Sequence, residues 1–265
     1  MERIKQALEK ARQERQNVQG GNVVQPLPPS PEATPGSGQA LTTAVSLNEN
    51  ILRDHRIIAG LPPGPFTEAY NLLRTRLLQT FKEHGWNTLA ITSPGISAGK
   101  TLTAINLAIS IAREVDYTVL LVDANLQQPG LTDYFGLPRR KGLSDYLTSE
   151  VAVSELLIKP GIVDRLVVLP GGQPLANSSE MLTSPKMGRL VEEMKARYPS
   201  RIIIFDLPPL LTSSDTLAFA PHVDAALLIV EEGVTQKDEL QRAVELLSVT
   251  NIVGTVLNKA DGKLV

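Results

Sequence analysis

The segment Leu89–Thr101 constrains the fold of this chain more than any other stretch of its sequence. An apolar run of strand character leads into a turn of small residues, and Gly99-Lys100-Thr101 then has the pattern of a helix start. Such a turn can aim backbone N–H groups at phosphate oxygens, with the helix N-terminus adding to the favourable field. Lys100 would neutralise the β- and γ-phosphates of a nucleotide, and the Thr101 hydroxyl would ligate Mg²⁺.

The predicted phosphate-binding turn departs in one place from the usual pattern G-x-x-x-x-G-K-[ST]. Counting back from Gly99, the first glycine of that pattern falls on Pro94, and Gly95 comes one place late. An ordinary helix start is therefore the alternative interpretation. The residues of this segment predicted to bind the nucleotide are Ser93, Pro94, Gly95, Ile96, Ser97, Ala98, Gly99, Lys100, Thr101 and Leu102.

Two further apolar strands end in an aspartate, Asp123 after Val-Leu-Leu-Val and Asp206 after Ile-Ile-Ile-Phe. The carboxyl end of a parallel strand is where open α/β sheets bind ligands. Phosphoryl transfer requires a divalent cation, and the cation requires carboxylate oxygens. Asp123 and Asp206 are therefore predicted to ligate the metal together with Thr101. Each aspartate taken alone could instead cap a helix or lie in a loop.

Strand and helix signals alternate through the sequence that follows residue 50. This alternation predicts a doubly wound, mostly parallel α/β sheet with helices on both faces. Continuous apolar runs favour strands that are covered on both faces. The predicted strands are Thr88–Thr92, Thr118–Val122, Leu166–Leu169, Arg201–Phe205, Ala225–Val230 and Ile252–Leu257. The predicted helices are Pro65–Lys82, Lys100–Arg113, Pro185–Arg197 and Lys237–Val249.

Composition divides the 265-residue chain into three predicted parts. Residues 1–16 have apolar side chains at helical spacing among charged ones, which predicts a short amphipathic helix, either a docking element or a frayed tail. Residues 17–48 are rich in Pro, Gly and Ser and are predicted to form a disordered or semi-extended linker. Residues 49–265 then form the nucleotide-binding domain.

The overall composition argues against several classes of protein. A net charge of −2 gives no support for nucleic-acid binding, and the absence of cysteine excludes disulfides and thiolate metal sites. The charged amino terminus lacks the apolar core of a signal peptide, and no apolar run approaches the roughly 20 residues of a membrane helix. These features predict a cytoplasmic protein that contacts a membrane only through a partner.

Taken together, these segments resemble the bacterial tyrosine kinases of the CpsD/CapB type, which are P-loop NTPases, and in particular the exopolysaccharide subgroup of exosortase-linked loci. The resemblance covers about residues 60–260. The family's Walker A loop, its Walker A′ strand end and its Walker B strand end D-x-P-P fall on Ser93–Thr101, Asp123–Pro129 and Asp206–Pro209. Shorter agreements lie at residues 103–108, 142–147, 169–172 and 254–258.

This resemblance implies an ATP-dependent protein-tyrosine kinase that regulates exopolysaccharide or capsule biosynthesis and export. Its catalytic residues would be Lys100, Asp123 and Asp206. Lys100 and Thr101 would hold the phosphates and Mg²⁺, Asp123 would act on the attacking tyrosine hydroxyl, and Asp206 would complete the metal shell. Asn258 is expected to touch the edge of the nucleotide base. The implied partners are a membrane-anchored polysaccharide co-polymerase or chain-length determinant, which would bring the chain to the inner membrane, and further copies of the chain in a homo-oligomer.

The sequence departs from the family pattern at functional positions. In the Walker A′ pattern D-x-D-x-R-x-P, Asn125 replaces the second acid and Gln127 replaces the arginine. An asparagine still offers a carbonyl oxygen to a metal, but without negative charge. A glutamine has neither the charge nor the donor fork of an arginine. The tyrosine cluster that commonly ends these kinases is also missing from residues 262–265.

Three other interpretations stay open. A catalytically weak or inactive partner that binds ATP and senses nucleotide would have the same fold and would account for the changes at positions 125 and 127. The ParA/MinD positioning ATPases share the fold, but Gly95 stands where they carry a signature lysine. Residues 258–261 match the pattern N-K-x-D by which many GTPases bind guanine, although the kinase pattern as a whole favours ATP.

Overall fold

The computed structural model of this protein describes residues 43–45, 47, 49–62, 64–197 and 200–260. The predicted helix of residues 1–16 and most of the predicted linker lie outside these ranges, as do Tyr198 and Asp261. The described residues form an α/β architecture around an eight-stranded sheet.

The strands follow the predicted alternation closely. They are β1 (Thr43–Ala44), β2 (Thr88–Thr92), β3 (Thr118–Asp123), β4 (Ile158–Lys159), β5 (Leu166–Leu169), β6 (Arg201–Asp206), β7 (Ala225–Glu231) and β8 (Asn251–Asn258). Their order in the sheet is β1-β4-β5-β3-β6-β2-β7-β8, and only the β4–β5 pair is antiparallel among the described strands. The six predicted strands are confirmed. The sequence did not indicate β1 and β4, because two residues are too few to show a periodic pattern.

The helices include the four predicted ones. They are α1 (Glu49–Asp54), α2 (Pro65–His84), α3 (Lys100–Ala112), α4 (Leu131–Tyr134), α5 (Leu143–Thr148), α6 (Val153–Leu156), α7 (Ser178–Leu182), α8 (Pro185–Arg197), α9 (Asp215–Phe219) and α10 (Lys237–Leu246). Helix α2 extends two residues beyond its predicted end and stops at Gly85, whose φ of 69° allows a left-handed cap. No helix within the described residues is both long and apolar enough to cross a lipid bilayer.

Hydrophobic side chains cover both faces of the sheet. Alternate residues of β3 belong to two different clusters, with Val119 in one and Leu120 in the other, because successive side chains of a strand point to opposite faces. The first cluster contains the buried hydrophobic residues of α2 and α3, and the second contains those of α8, α9 and α10. The predicted doubly wound sheet with helices on both faces is therefore confirmed.

Strand β6 lies between β2 and β3, so the carboxyl ends of these three strands meet at the centre of one edge. The register pairs Asp206 with Asp123 on β3 and with Ile91 on β2. The connection from β2 to β3 crosses the face of the sheet that α3 covers, and the connection from β6 to β7 crosses the face that α9 covers. The two connections run in opposite directions along the sheet, and open α/β sheets bind ligands at such a switch point.

Residues 43–45 of the predicted linker take part in the sheet. The sequence predicts a linker through residue 48, whereas Thr43–Ala44 pairs with Ile158–Lys159 as an edge strand, and the backbone N–H of Val45 donates to the carbonyl oxygen of Lys159 at 2.9 Å. This pairing uses backbone groups alone, so it needs no hydrophobic pattern in the sequence.

Candidate functional site

The turn between β2 and α3 has the sharp backbone that a phosphate-binding loop requires. Ser97 and Gly99 adopt left-handed conformations, with φ angles of 60° and 93°. Turns of this kind gather successive backbone N–H groups into a concavity that suits an anion. Ile96 and Ser97 form the exposed tip of the loop, while Ser93 and Ala98 are buried at its base.

Asn258 closes this loop from the end of β8. Its Nδ2 donates a hydrogen bond of 2.8 Å to the carbonyl oxygen of Ala98. A methyl group at Gly99 would overlap the Asn258 side chain, so glycine is needed there for space as well as for its φ angle. The expected contact of Asn258 with a nucleotide base stays a prediction. The neighbouring Lys259 forms an ion pair of 2.8 Å with Glu231.

Lys100 is the first residue of α3 and is largely buried, with 8% of its surface exposed. Burial lowers the pKa of its ammonium group, and the charge of Asp206 partly opposes this shift. A lysine whose charge is poorly solvated gains most from an anionic ligand, because the ligand supplies the interaction that water does not. Lys100 is thus suited to neutralise phosphate charge at the mouth of the loop.

Thr101 and Asp206 are joined across the site. The Thr101 hydroxyl donates to Asp206 Oδ2 at 2.6 Å. The second oxygen, Oδ1, is buried and has no hydrogen-bond partner among the described residues. Burial raises the pKa of this carboxyl to about 6, although the Thr101 hydrogen bond and the Lys100 charge lower it. A hydroxyl beside a carboxylate oxygen that lacks a partner is a donor set suited to a hard divalent cation.

Asp123 is buried at the end of β3 and is held by its own chain. Its Oδ2 accepts the backbone N–H groups of Gly130 at 3.1 Å and Leu131 at 3.0 Å, and its Oδ1 accepts that of Asn125 at 3.3 Å. Burial and the nearby charge of Asp206 raise the pKa of Asp123 to about 7 despite these three hydrogen bonds. Burial therefore makes Asp123 a stronger base than an exposed aspartate, and the segment that follows it fixes its position.

Gly171 is a site residue that the sequence analysis did not single out. A Cβ at this position would lie 3.0 Å from Asp123 Cγ and 2.6 Å from Pro129 Cβ. The loop after β5 therefore approaches Asp123 through backbone alone. The signal was present in the Leu169–Gly172 agreement with the kinase family, but that agreement does not indicate which group the glycine touches.

The departures at Asn125 and Gln127 have different surroundings. Asn125 is half-buried beside Asp123. Gln127 is exposed, and its Nε2 donates to Asp215 Oδ1 at 3.2 Å. Asp215 is a fully buried carboxylate that the sequence analysis missed, because nothing near it in the sequence marks it as part of the site.

The protein ligands available for a metal are few. Among the described residues no three His, Cys, Asp or Glu side chains cluster closely enough to hold a metal ion. An ion with the predicted ligands Thr101, Asp123 and Asp206 would leave most coordination positions to phosphate oxygens and water, which is the usual arrangement for Mg²⁺ at phosphoryl-transfer sites. The loop, the lysine and this donor set together define a P-loop nucleotide-binding protein.

Comparison with known protein families agrees with this class. A family model described as an AAA domain matches residues 88–240, more than half of the chain. The chain is 28% identical to the putative tyrosine-protein kinase CapB of Staphylococcus aureus over 75% of this chain and 86% of that protein. It is 29% identical to the tyrosine-protein kinase YwqD of Bacillus subtilis over 81% of this chain and 90% of that protein.

Longer relatives and solved structures add two points. The putative tyrosine-protein kinase EpsB of Ralstonia nicotianae is 30% identical over 76% of this chain, which spans only 26% of EpsB. The chimerical protein CapA2B2 superposes with a TM-score of 0.71 at 26% identity, covering 83% of this chain and 94% of that one. The kinase domain of the Escherichia coli tyrosine kinase Etk gives 0.68 at 26% identity, covering 84% and 92%. The chain belongs to the AAA domain family, and within it to the bacterial tyrosine kinases.

Proposed function

We propose that this protein is an ATP- and Mg²⁺-dependent protein-tyrosine kinase that regulates exopolysaccharide or capsule biosynthesis and export. The observation that carries the proposal is the cluster at the carboxyl edge of the sheet. There the Thr101–Asp206 pair and the buried Lys100 adjoin Asp123, a carboxyl group whose pKa is about 7. This combination offers phosphate binding, metal ligation and proton acceptance within one site.

The residues present fit a nucleotide with magnesium. Asp206 Oδ1 has no donor among the described residues, and burial disfavours its negative charge, so a cation beside it would remove an unfavourable interaction. Mg²⁺, when bound, supplies positive charge to the β- and γ-phosphate oxygens. Thr101, Asp123 and Asp206 would hold the ion, and Lys100 would bind phosphate oxygens beside them.

Asp123 is the group proposed to act on the tyrosine. A tyrosine hydroxyl has a pKa of about 10 and is a weak nucleophile at neutral pH. As the hydroxyl oxygen bonds to the γ-phosphorus and ADP leaves, Asp123 would take the hydroxyl proton. Burial raises the pKa of Asp123 above that of an exposed aspartate, which makes it a better proton acceptor for this task. Its hydrogen bonds to the 124–131 segment would fix its position during transfer.

The proposed partner is a membrane-anchored polysaccharide co-polymerase or chain-length determinant. One relative, 32% identical over 78% of this chain, is the succinoglycan biosynthesis transport protein ExoP of Rhizobium meliloti, of which the chain spans only 26%. A cytosolic segment of such a partner would activate this protein in trans and bring it to the inner membrane from the cytoplasm. Association with further copies of the chain would present one of the five tyrosines of one copy to the site of another.

A second candidate is a nucleotide-sensing partner with little or no transfer activity. Asn125 and Gln127 favour it, because they remove a negative and a positive charge from the Walker A′ pattern. Both candidates bind ATP, so nucleotide affinity does not separate them, whereas phosphate transfer does.

The test is phosphotyrosine formation by the purified chain. Native protein, Lys100→Ala and Asp123→Asn are each incubated with ATP and Mg²⁺, with and without the cytosolic segment of the partner, and phosphotyrosine is mapped by mass spectrometry. The kinase proposal expects phosphotyrosine from the native chain, and none from either variant. ATP binding without phosphotyrosine, even with the partner segment present, would instead support the sensor.

A further inference from the structure

Outside the phosphate site, Asp215 has a buried carboxylate oxygen that lacks a hydrogen-bond partner among the described residues. Asp215 begins α9 and is fully shielded from solvent. Its Oδ1 accepts a hydrogen bond of 3.2 Å from Gln127 Nε2, whereas Oδ2 is buried and has no hydrogen-bond partner among the described residues. A buried carboxylate oxygen without a donor is unfavourable, and the neutral amide of Gln127 supplies no compensating charge.

Asp215 connects the two segments that follow Asp123 and Asp206 in the chain. Gln127 belongs to the Walker A′ segment that follows Asp123, and its Nε2 also lies 3.4 Å from Ser213 Oγ. Ser213 Oγ in turn accepts the backbone N–H of Asp215 at 3.2 Å. The side chain at position 127 therefore joins the Walker A′ segment to the loop that follows β6.

The segment between β6 and α9 is hydrogen-bonded to the P-loop. The Thr216 hydroxyl donates to the carbonyl oxygen of Pro208 at 2.8 Å. The backbone N–H of Leu210 donates to the carbonyl oxygen of Ser93 at 2.8 Å. Asp215 is thus fixed relative to the phosphate site, and its contact on the Walker A′ segment is an exposed and neutral side chain.

We propose that Asp215 is a positioning residue, which holds the Walker A′ segment, and with it the Asp123 carboxylate, through the side chain at position 127. Gln127 makes this attachment weak. An arginine at 127, as in the family pattern, would strengthen it, because a guanidinium can donate to both carboxylate oxygens and carries the missing charge. The effect on turnover rests on the kinase activity proposed above, whereas the coupling of residues 127 and 215 does not.

The coupling is measured by a double-mutant cycle on thermal stability. The variants are Gln127→Arg, Asp215→Asn and their combination, and Gln128→Arg is the matched control because it adds the same charge to the exposed neighbouring glutamine. Gln127→Arg is expected to raise the melting temperature by about 3 °C in the native background and by much less beside Asp215→Asn. Gln128→Arg is expected to have the same small effect in both backgrounds.

The positioning role is measured by hydrogen exchange and kinetics on the same proteins. Gln127→Arg is expected to slow amide exchange in residues 124–131, whose Gly130 and Leu131 amides donate to Asp123. It is also expected to raise kcat for a tyrosine peptide about tenfold at unchanged ATP affinity. Both gains should disappear in the Asp215→Asn background.

Three results would overturn the proposal. Equal melting shifts in both backgrounds would mean that residue 127 does not pair with Asp215. If Gln127→Arg raised kcat equally in the Asp215→Asn background, the guanidinium would act on the transferring phosphate and not through Asp215. If the melting shift of Gln127→Arg depended on Asp215 but amide exchange in residues 124–131 did not slow, Asp215 would stabilise the fold without positioning the Walker A′ segment. If no variant phosphorylates the peptide, the proposed function fails, while melting and exchange still decide the role of Asp215.

Discussion

The Gly171→Ala variant tests how closely one loop fixes the position of Asp123. The new Cβ would lie 2.6 Å from Pro129 Cβ and 3.0 Å from Asp123 Cγ. Comfortable contacts between carbon atoms lie at about 3.5–4.0 Å. The loop after β5 or the Walker A′ segment must therefore move by about 1 Å to accommodate the methyl group.

A displacement of this size at the proton-accepting group can lower turnover by about 100-fold. Affinity for ATP is expected to change little, because Lys100 and Thr101, which are proposed to bind phosphate, lie on α3 and are not among the nearest neighbours of the added methyl group. We therefore expect kcat to fall by about two orders of magnitude while the Kd for ATP stays within about twofold.

The matched control for this variant is Gly130→Ala. It adds a methyl group to the Walker A′ segment itself, but the nearest atom to that Cβ is the carbonyl oxygen of Gln128 at 3.9 Å. The φ of −133° at Gly130 is also open to alanine, and its N–H to Asp123 is kept. Steady-state kinetics with a tyrosine peptide and calorimetry with ATP give both quantities. Equal kcat values for the two variants, or a matching loss of ATP affinity in Gly171→Ala, would refute the reasoning.

Three further predictions concern binding, pH and chain boundaries. Lys100→Ala should weaken ATP–Mg²⁺ binding at least tenfold, about 1.4 kcal/mol, in calorimetry; equal affinities would contradict the phosphate site. The raised pKa of Asp123 means that the folded chain binds a proton more tightly than the unfolded one, so without nucleotide its stability falls as pH rises from about 4 to 7. Asp123→Asn should then raise the melting temperature at pH 8 but hardly at pH 4, and a constant difference would count against this. Deleting residues 1–42 should leave ATP affinity unchanged, because every residue proposed to bind the nucleotide lies at Ser93 or beyond; a tenfold loss would show that the removed segment contributes.

The central part of the fold followed from sequence because its signals are local. A buried parallel strand is an apolar run, and a phosphate loop is a strand, a small-residue turn and a helix start, so each is contained in about a dozen residues. Elements that are too short to have such a local signal were not predicted. Strand β1 at the edge of the sheet and its neighbour β4 have only two residues each, and helix α4 has only four.

The sequence by itself determined which side chains can bind phosphate and metal. Lys100, Thr101, Asp123 and Asp206 each stand at the end of a recognisable strand or the start of a helix, and that placement alone directs them to one edge of a parallel sheet. Their residue types favour the binding of a nucleotide with a divalent cation, which is the basis of the proposed function.

Only the tertiary structure decided how these groups are held and how their protons are distributed. The order of strands places β6 between β2 and β3, so burial and the Asp206 charge can raise the pKa of Asp123. The approach of Gly171, the closure by Asn258 and the buried Asp215 join residues far apart in the chain. Such contacts depend on which strands become neighbours and in what register, a choice made by packing across the whole sheet and not by any one segment.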